Sequence, residues 1–403
     1  MKVAIIGGGA AGFFAALSVA EHHPKASISI LEKSPKLLSK VKVSGGGRCN
    51  VTNGTESIKD LWKAYPRGGR ALKKLFPIFN TKHTYEWFES RGVPLMIQED
   101  NCVFPVSQDS QSIIDCFLDQ AKKSKIDIRT RCGVERIREV ENFQIALSIS
   151  KGEEEIFDKV IIATGGSPKR KGLEWLEELG HKIENPVPSL FTFNMPSESI
   201  RSLMGVVVEE TITTIQGTAL KSDGPLLITH WGMSGPSILK LSAFGARMLS
   251  EMNYEFNVQV NWVNEVNNEV VKQELQSVLK DHGKKLLTNY RPYGLPDRLW
   301  QYLLVKSELP ADRIWSDIGK KGMNKLVTLL TNDVYEVKGK TTFKEEFVTC
   351  GGVSLESINM KTMESKVVKN LYFSGEVMDI DAITGGYNFQ GAWTTGYVAG
   401  MLK

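Results

Sequence analysis

Of three glycine clusters in this 403-residue chain, 7-GGGAAG-12 and 44-SGGGRCNVTN-53 have the composition of anion cradles, and 163-ATGG-166 is a small-residue turn at the end of an apolar run. Runs of this kind fit poorly inside a helix or strand, so they form loops whose backbone N–H groups can converge on negative charge. The middle cluster adds Arg48 as fixed charge and Asn50 and Asn53 as directional donors, with Lys40 just before Ser44 and Cys49 inside the loop. Two side chains are candidates for moving protons: His230, in 230-HWGMSGP-236, and Tyr387, in 385-GGYNFQGAWTTGYVAG-400. Histidine titrates near neutrality and can give or take a proton. A structural turn holding a satisfied histidine is the competing reading of that segment, and Trp231 and Phe389 can either stack on a substrate or pack. Other chemistries lack their residues. The six histidines show no metal-ligand spacing, and the five cysteines form no C-x-x-C pair. In 232-GMSGP-236, Pro236 occupies the last glycine of a G-x-S-x-G elbow.

The elements around these loops say which anion they hold. Residues 2-KVAII-6 are a short apolar run, as expected of a strand buried on both faces of a parallel sheet. Gly7, Gly9 and Gly12 then satisfy G-x-G-x-x-G. The first allows the tight turn, the second the close approach of a pyrophosphate, the third helix–strand packing. A helix runs to about residue 22, its first amides (Ala10, Ala11, Gly12) and its dipole favouring phosphate. A second strand, 27-SISILE-32, ends in Glu32, twenty positions after Gly12 and followed by Lys33. A carboxylate there accepts from ribose hydroxyls and repels a 2′-phosphate, so the site suits FAD or NAD rather than NADP.

The remaining segments favour FAD. The 44–53 segment (Ser44, Gly45, Gly46, Gly47, Arg48) supplies a second anion loop. The strand 160-VIIATGG-166 returns the chain toward the cofactor through Ala163, Thr164, Gly165 and Gly166, and the backbone of Val134 is a candidate partner for an adenine edge. Near the C-terminus, 371-LYFSGE-376 places Gly375 and Glu376 at a strand end. Gly386 then opens a helix carrying Asn388, Phe389 and Gln390. The positive end of that helix would face the flavin pyrimidine and stabilise charge near N1 and O2 of the reduced ring.

These segments, with 349-TCGGVSLESINMKTMESK-366 and 375-GEVMDIDAITGGYNFQGA-392, resemble the BaiN/YhiN-like bacterial FAD flavoproteins, which include an aminoacetone oxidase and a bile-acid enone reductase. The resemblance spans both ends and the middle of the chain. It implies an α/β fold: a two-dinucleotide-binding-type FAD Rossmann domain interrupted by an inserted β-barrel and a small helical domain. The sequence divides accordingly at 1–189 and 343–403 for the FAD domain, 190–265 for short alternating strands (with a helix at 235–250) and 266–342 for polar helical pattern. Leu38-Ser39 departs from the Gly-Arg frequent in the family, which touches only local loop detail.

The expected activity is an FAD-dependent oxidoreductase that transfers two electrons to or from a small organic substrate, reducing an activated C=C or oxidising an amine. NAD(P)H is a candidate reductant, although no second G-x-G-x-x-G is present. A flavoprotein of RNA modification and a non-catalytic FAD-binding regulator are the alternatives. With 50 Lys and Arg against 46 Asp and Glu, the net charge of +4 makes no case for nucleic acid or a membrane. The uncharged stretch Val3–Ala20 is broken by glycines, so it reads as buried strand and helix rather than as a signal or span. Unpaired cysteines fit a reducing, cytoplasmic setting.

Overall fold

The computed structural model describes residues 1–150, 152–310, 312–342 and 348–403. The chain divides into two compact units, Met1–Ser189 with Phe343–Lys403, and Leu190–Thr342.

The first unit is built on β1 (Lys2–Ile6), whose last four residues are buried as its unbroken apolar run requires. It lies between two parallel neighbours, β2 (Ser27–Leu31) and the strand Lys159–Ile162. Asp127–Arg129 extends the sheet beyond β2, and Leu371–Phe373 pairs in parallel with Lys159–Ile162. Between β1 and β2 runs α1 (Ala10–His22), buried from Ala11 to Val19. Such a helix, apolar on every face, must be covered on every face. The C-terminal helix Tyr387–Gly400 packs on it at glycine-thin contacts: a Cβ on Gly396 would lie 3.0 Å from Ala11 O, and one on Gly400 2.5 Å from Ser18 Cβ. Phe14, Trp87, Phe117 and Trp393 interlock around α1 with centroids 4.8–6.3 Å apart.

The second unit is a seven-stranded antiparallel sheet. Its order is Asp333–Lys338, Glu255–Asn261, Val207–Ile215, Lys221–Ile228, Gly232–Ser234, Thr192–Asn194, Lys340–Thr341. The first and last strands of that order are consecutive in the chain, joined by Gly339 alone. The sheet therefore curls until its two edges meet, with Asn194 N–H donating to Gly339 O at 3.1 Å and Gly339 N–H to Tyr254 O at 2.8 Å. The expected helix at 235–250 is present as Pro236–Glu251. Helices Asn268–His282, Asp297–Lys306 and Gly319–Thr331 share one apolar core with the sheet, from Phe191 through Trp262, Trp300 and Trp315 to Val337. Segments 190–265 and 266–342 are thus packed as one unit. The polar pattern of the second segment belongs to the outer faces of helices whose inner faces complete that core. Among the described residues no helix is long and apolar enough to cross a membrane.

Candidate flavin site

The first glycine cluster is shaped by contact. Gly7 has φ +114, and a Cβ on it would lie 2.4 Å from Ala163 O; a Cβ on Gly12 would lie 1.9 Å from Gly7 O. Around the position of a Cβ on Gly9, by contrast, no atom lies within 4 Å. Two glycines therefore hold the turn against its own fold, and the third leaves backbone open to a ligand beside the first amides of α1. Glu32 directly follows β2, next to this turn. Its carboxylate accepts from Gly8 N–H at 2.8 Å and Ser34 N–H at 2.7 Å. The loop before Val134 runs alongside: Arg131 N–H donates to Ser34 O at 3.1 Å and Cys132 N–H to Glu32 O at 2.8 Å. Lys33 is exposed next to Glu32.

The second cluster folds as a tight turn, Ser44–Gly47. Arg48 lies over the Phe104 ring at 4.2 Å and donates to Gly45 O at 3.2 Å. Cys49 is fully buried, and burial pushes its thiol up to about 12, so it is no nucleophile at neutral pH. Asn50, oriented to satisfy both ends of its amide, accepts from Gly386 N–H at 3.1 Å and donates to Thr52 O at 2.9 Å. Asn53 donates to Gly385 O at 3.0 Å. The two asparagine side chains thus clasp the Gly385–Gly386 turn that starts the C-terminal helix. Only glycine fits at Gly386, whose φ is +84 and where a Cβ would lie 2.2 Å from Thr52 O.

The third cluster meets the C-terminal strand end. A Cβ on Gly166 would lie 2.4 Å from Thr349 Oγ1 and 2.5 Å from Glu376 Oε1. Glu376 accepts from Lys40 Nζ at 2.6 Å and from Thr349 N–H at 2.8 Å, while Gly375 N–H donates to Thr395 Oγ1 at 2.9 Å. Thr164 is exposed, and Gly165, Gly46 and Gly47, like Gly9, have no atom within 4 Å of a would-be Cβ.

On the C-terminal helix, Tyr387 is half-buried with its hydroxyl 3.4 Å from Thr55 Oγ1, and burial raises its phenol above the usual range. Asn388 is committed to the preceding loop through Ala382 N–H (2.9 Å) and O (3.0 Å). Phe389 stacks on Trp393 at 5.5 Å. Gln390 is buried and accepts from Thr52 at 2.6 Å and Thr84 at 2.8 Å. His230 belongs to the second unit, exposed in the turn between Lys221–Ile228 and Gly232–Ser234, its ring 4.6 Å from that of Trp231.

Sequence reasoning passed over two groups at this site. Arg67 donates to Asp381 Oδ1 at 2.6 Å, and both pair with Ser189. Tyr65 donates to Tyr387 O at 2.6 Å. Neither Arg67 nor Tyr65 lies in a motif.

The donor set fits a dinucleotide: open glycine backbone at a helix N-terminus, with Lys40 and Arg48 as the cations that would lie nearest a pyrophosphate and Glu32 as the carboxylate that would face a ribose. Thr349 Oγ1, buried beside Gly166 and Glu376, has no hydrogen-bond partner among the described residues, leaving an acceptor and donor in hand.

Residues 1–402 match the HI0933-like protein Rossmann domain family. The chain belongs to that family. Like other members of this family, it is an FAD-dependent oxidoreductase. A 3-dehydro-bile acid delta(4,6)-reductase of Clostridium scindens is 27% identical over 99% of this chain and 98% of its own length. Ribosomal RNA dihydrouridine synthases of Haemophilus influenzae and Escherichia coli are 27% and 28% identical over 98% of this chain and 97% and 95% of theirs. Among solved structures, a 3-ketosteroid delta1-dehydrogenase from Sterolibacterium denitrificans superposes with TM-score 0.52 at 11% identity, over 99% of this chain and 98% of that one. The 3-ketosteroid-delta4-(5alpha)-dehydrogenase of Rhodococcus jostii RHA1 gives 0.51 at 13%, over 100% and 97%. At that identity the likeness is one of fold.

Proposed function

We propose that this protein reduces a C=C bond conjugated to a carbonyl group. The observation carrying this reading is that the named relatives, matched along nearly the whole chain, act on one type of bond. A 3-oxo steroid enone and the uracil ring of uridine are different molecules, yet both present a carbon made electrophilic by a conjugated carbonyl. Bound FAD supplies the hydride for such a carbon. The positive N-terminal end of the helix that starts at Gly386–Tyr387 would favour negative charge on a reduced ring held beside it. Tyr387, its phenol raised by burial, stays protonated through the neutral range and serves as donor to the adjacent carbon. NAD(P)H is the proposed reductant.

The test is anaerobic. The flavin is bleached with NADPH, NADH or light, and 2-cyclohexenone, a steroid enone or uridine is then added. Return of the oxidised flavin spectrum with stoichiometric saturated product supports the reading. Reoxidation by air alone, with every alkene inert, overturns it.

A further inference from the structure

The net charge of +4 conceals a steep local gradient. Residues 33–82 hold 12 Lys and Arg against two Asp and Glu, a net of +10; the rest of the chain holds 38 against 44, a net of −6. Part of this charge belongs to the cofactor loops, where Lys40 and Arg48 sit. Seven of the twelve lie on one arm of short helical turns, Ile58–Leu61, Trp62–Ala64 and Gly69–Leu72, ending in the helix Thr81–Glu89. Lys59, Lys63, Arg70, Lys73, Lys74 and Lys82 are all exposed. Asp60, 2.9 Å from Lys63, is the only acidic residue between Lys59 and Lys82, and among the described residues no ion pair engages Lys59, Arg70 or Lys74. Lys73 lies 5.4 Å from the partly exposed Trp62 ring, so an aromatic face accompanies the charge.

This arm is bound to the loop that opens the C-terminal helix. Ile383 N–H donates to Ala64 O at 2.9 Å, Tyr65 Oη to Tyr387 O at 2.6 Å, and Arg67 pairs with Asp381. Six exposed cations therefore flank the site at which Tyr387 sits. Such a strip is unnecessary for an uncharged alkene and suits a chain of phosphodiesters, whose counterions it would release.

We propose that the arm from Lys59 to Lys82 docks the phosphate backbone of a single-stranded RNA beside the flavin site. This rests on the alkene-reductase reading only for what the bound strand would present, a pyrimidine ring; docking itself is independent of it.

The experiment uses FAD-loaded protein without reductant and a fluorescein-labelled 20-nucleotide oligouridylate, titrated by anisotropy between 50 and 300 mM KCl. K59Q/R70Q/K74Q removes three phosphate contacts. It should flatten the log–log salt slope by about 2 and weaken binding roughly 100-fold at 0.1 M salt. K122Q/K123Q/K125Q, which removes equal charge from exposed lysines elsewhere in the first unit, should bind within twofold of the parent. An unchanged flavin spectrum certifies that each variant is folded. The proposal is overturned if the parent fails to bind at 50 mM KCl, if the arm variant binds within threefold of it, or if the control loses as much. Arm-dependent binding to phosphatidylserine vesicles without binding to RNA overturns it too. Turnover of 2-cyclohexenone, measured separately, reports on the reductase reading alone.

Discussion

Replacing Arg67 by Leu should destabilise the first unit in a pH-dependent way. Asp381 is fully buried, and the Arg67 side chain is 10% exposed. The pair joins segments 314 residues apart, through Nε to Oδ1 at 2.6 Å and a second bond to Oδ2. Removing one partner of a buried pair leaves a charge without compensation, at a cost of about 3–5 kcal/mol. That is a large part of the roughly 5–15 kcal/mol by which domains are stable. Burial already raises the Asp381 carboxyl, against the opposing pull of Arg67. Without Arg67 it rises further, well above the ordinary unfolded value of about 3.9. A carboxyl raised on folding favours the folded state when protonated. The deficit of Arg67→Leu should thus be greatest above the variant's folded pKa and shrink as pH falls, by about 1.4 kcal/mol per unit, until the parent's own raised Asp381 begins to protonate as well. Urea unfolding followed by circular dichroism at pH 5, 6 and 7.5 measures this, and Arg67→Leu/Asp381→Asn should recover at least about 2 kcal/mol at pH 7.5. A cost below about 1 kcal/mol at pH 7.5, or one that does not vary with pH, would refute the account of a buried charge held by Arg67.

Gly12→Ala should fail to fold because its Cβ meets Gly7 O, whereas Gly9→Ala should lose FAD yet melt at the temperature of the FAD-stripped parent; the 450 nm to 280 nm absorbance ratio and a thermal melt separate the two. Glu32→Ala frees the Gly8 and Ser34 amides and should also purify with little flavin, so a full complement would show that Glu32 does not belong to the cofactor site. Tyr387→Phe should retain its flavin spectrum while kcat for alkene reduction falls 10²- to 10⁴-fold, and an unaltered kcat would transfer the proton to another group. Cys49 should resist iodoacetamide in the native protein at pH 8 and react only after unfolding, as peptide mass spectrometry would record.

The β1–glycine–α1–β2–Glu32 passage was legible because each step lies within a few residues of the next and each has its own signature. The clasp of Asn50 and Asn53 on Gly385–Gly386 was not. The residues stood out as donors, but their partners lie more than 330 positions away, and composition does not encode such pairings. The pairing of Arg67 with Asp381 was invisible for the same reason. Asn388 and Gln390 sit in a recognisable helix, yet which face of an all-round apolar helix meets the cofactor depends on packing against α1. The basic arm was lost by averaging, since a whole-chain charge cancels +10 against −6.

The contact between α1 and the C-terminal helix also bears on how the protein is made. The wall of the nucleotide domain that covers α1 leaves the ribosome about 370 residues after β2, some 20–75 s later at 5–20 residues per second. Throughout that interval a helix apolar on every face waits without its lid, while the second unit, contiguous from 190 to 342, can complete its own core. Nascent chains should therefore acquire a protease-resistant insert before they can retain any flavin, and the early half is the part that a chaperone would have to guard.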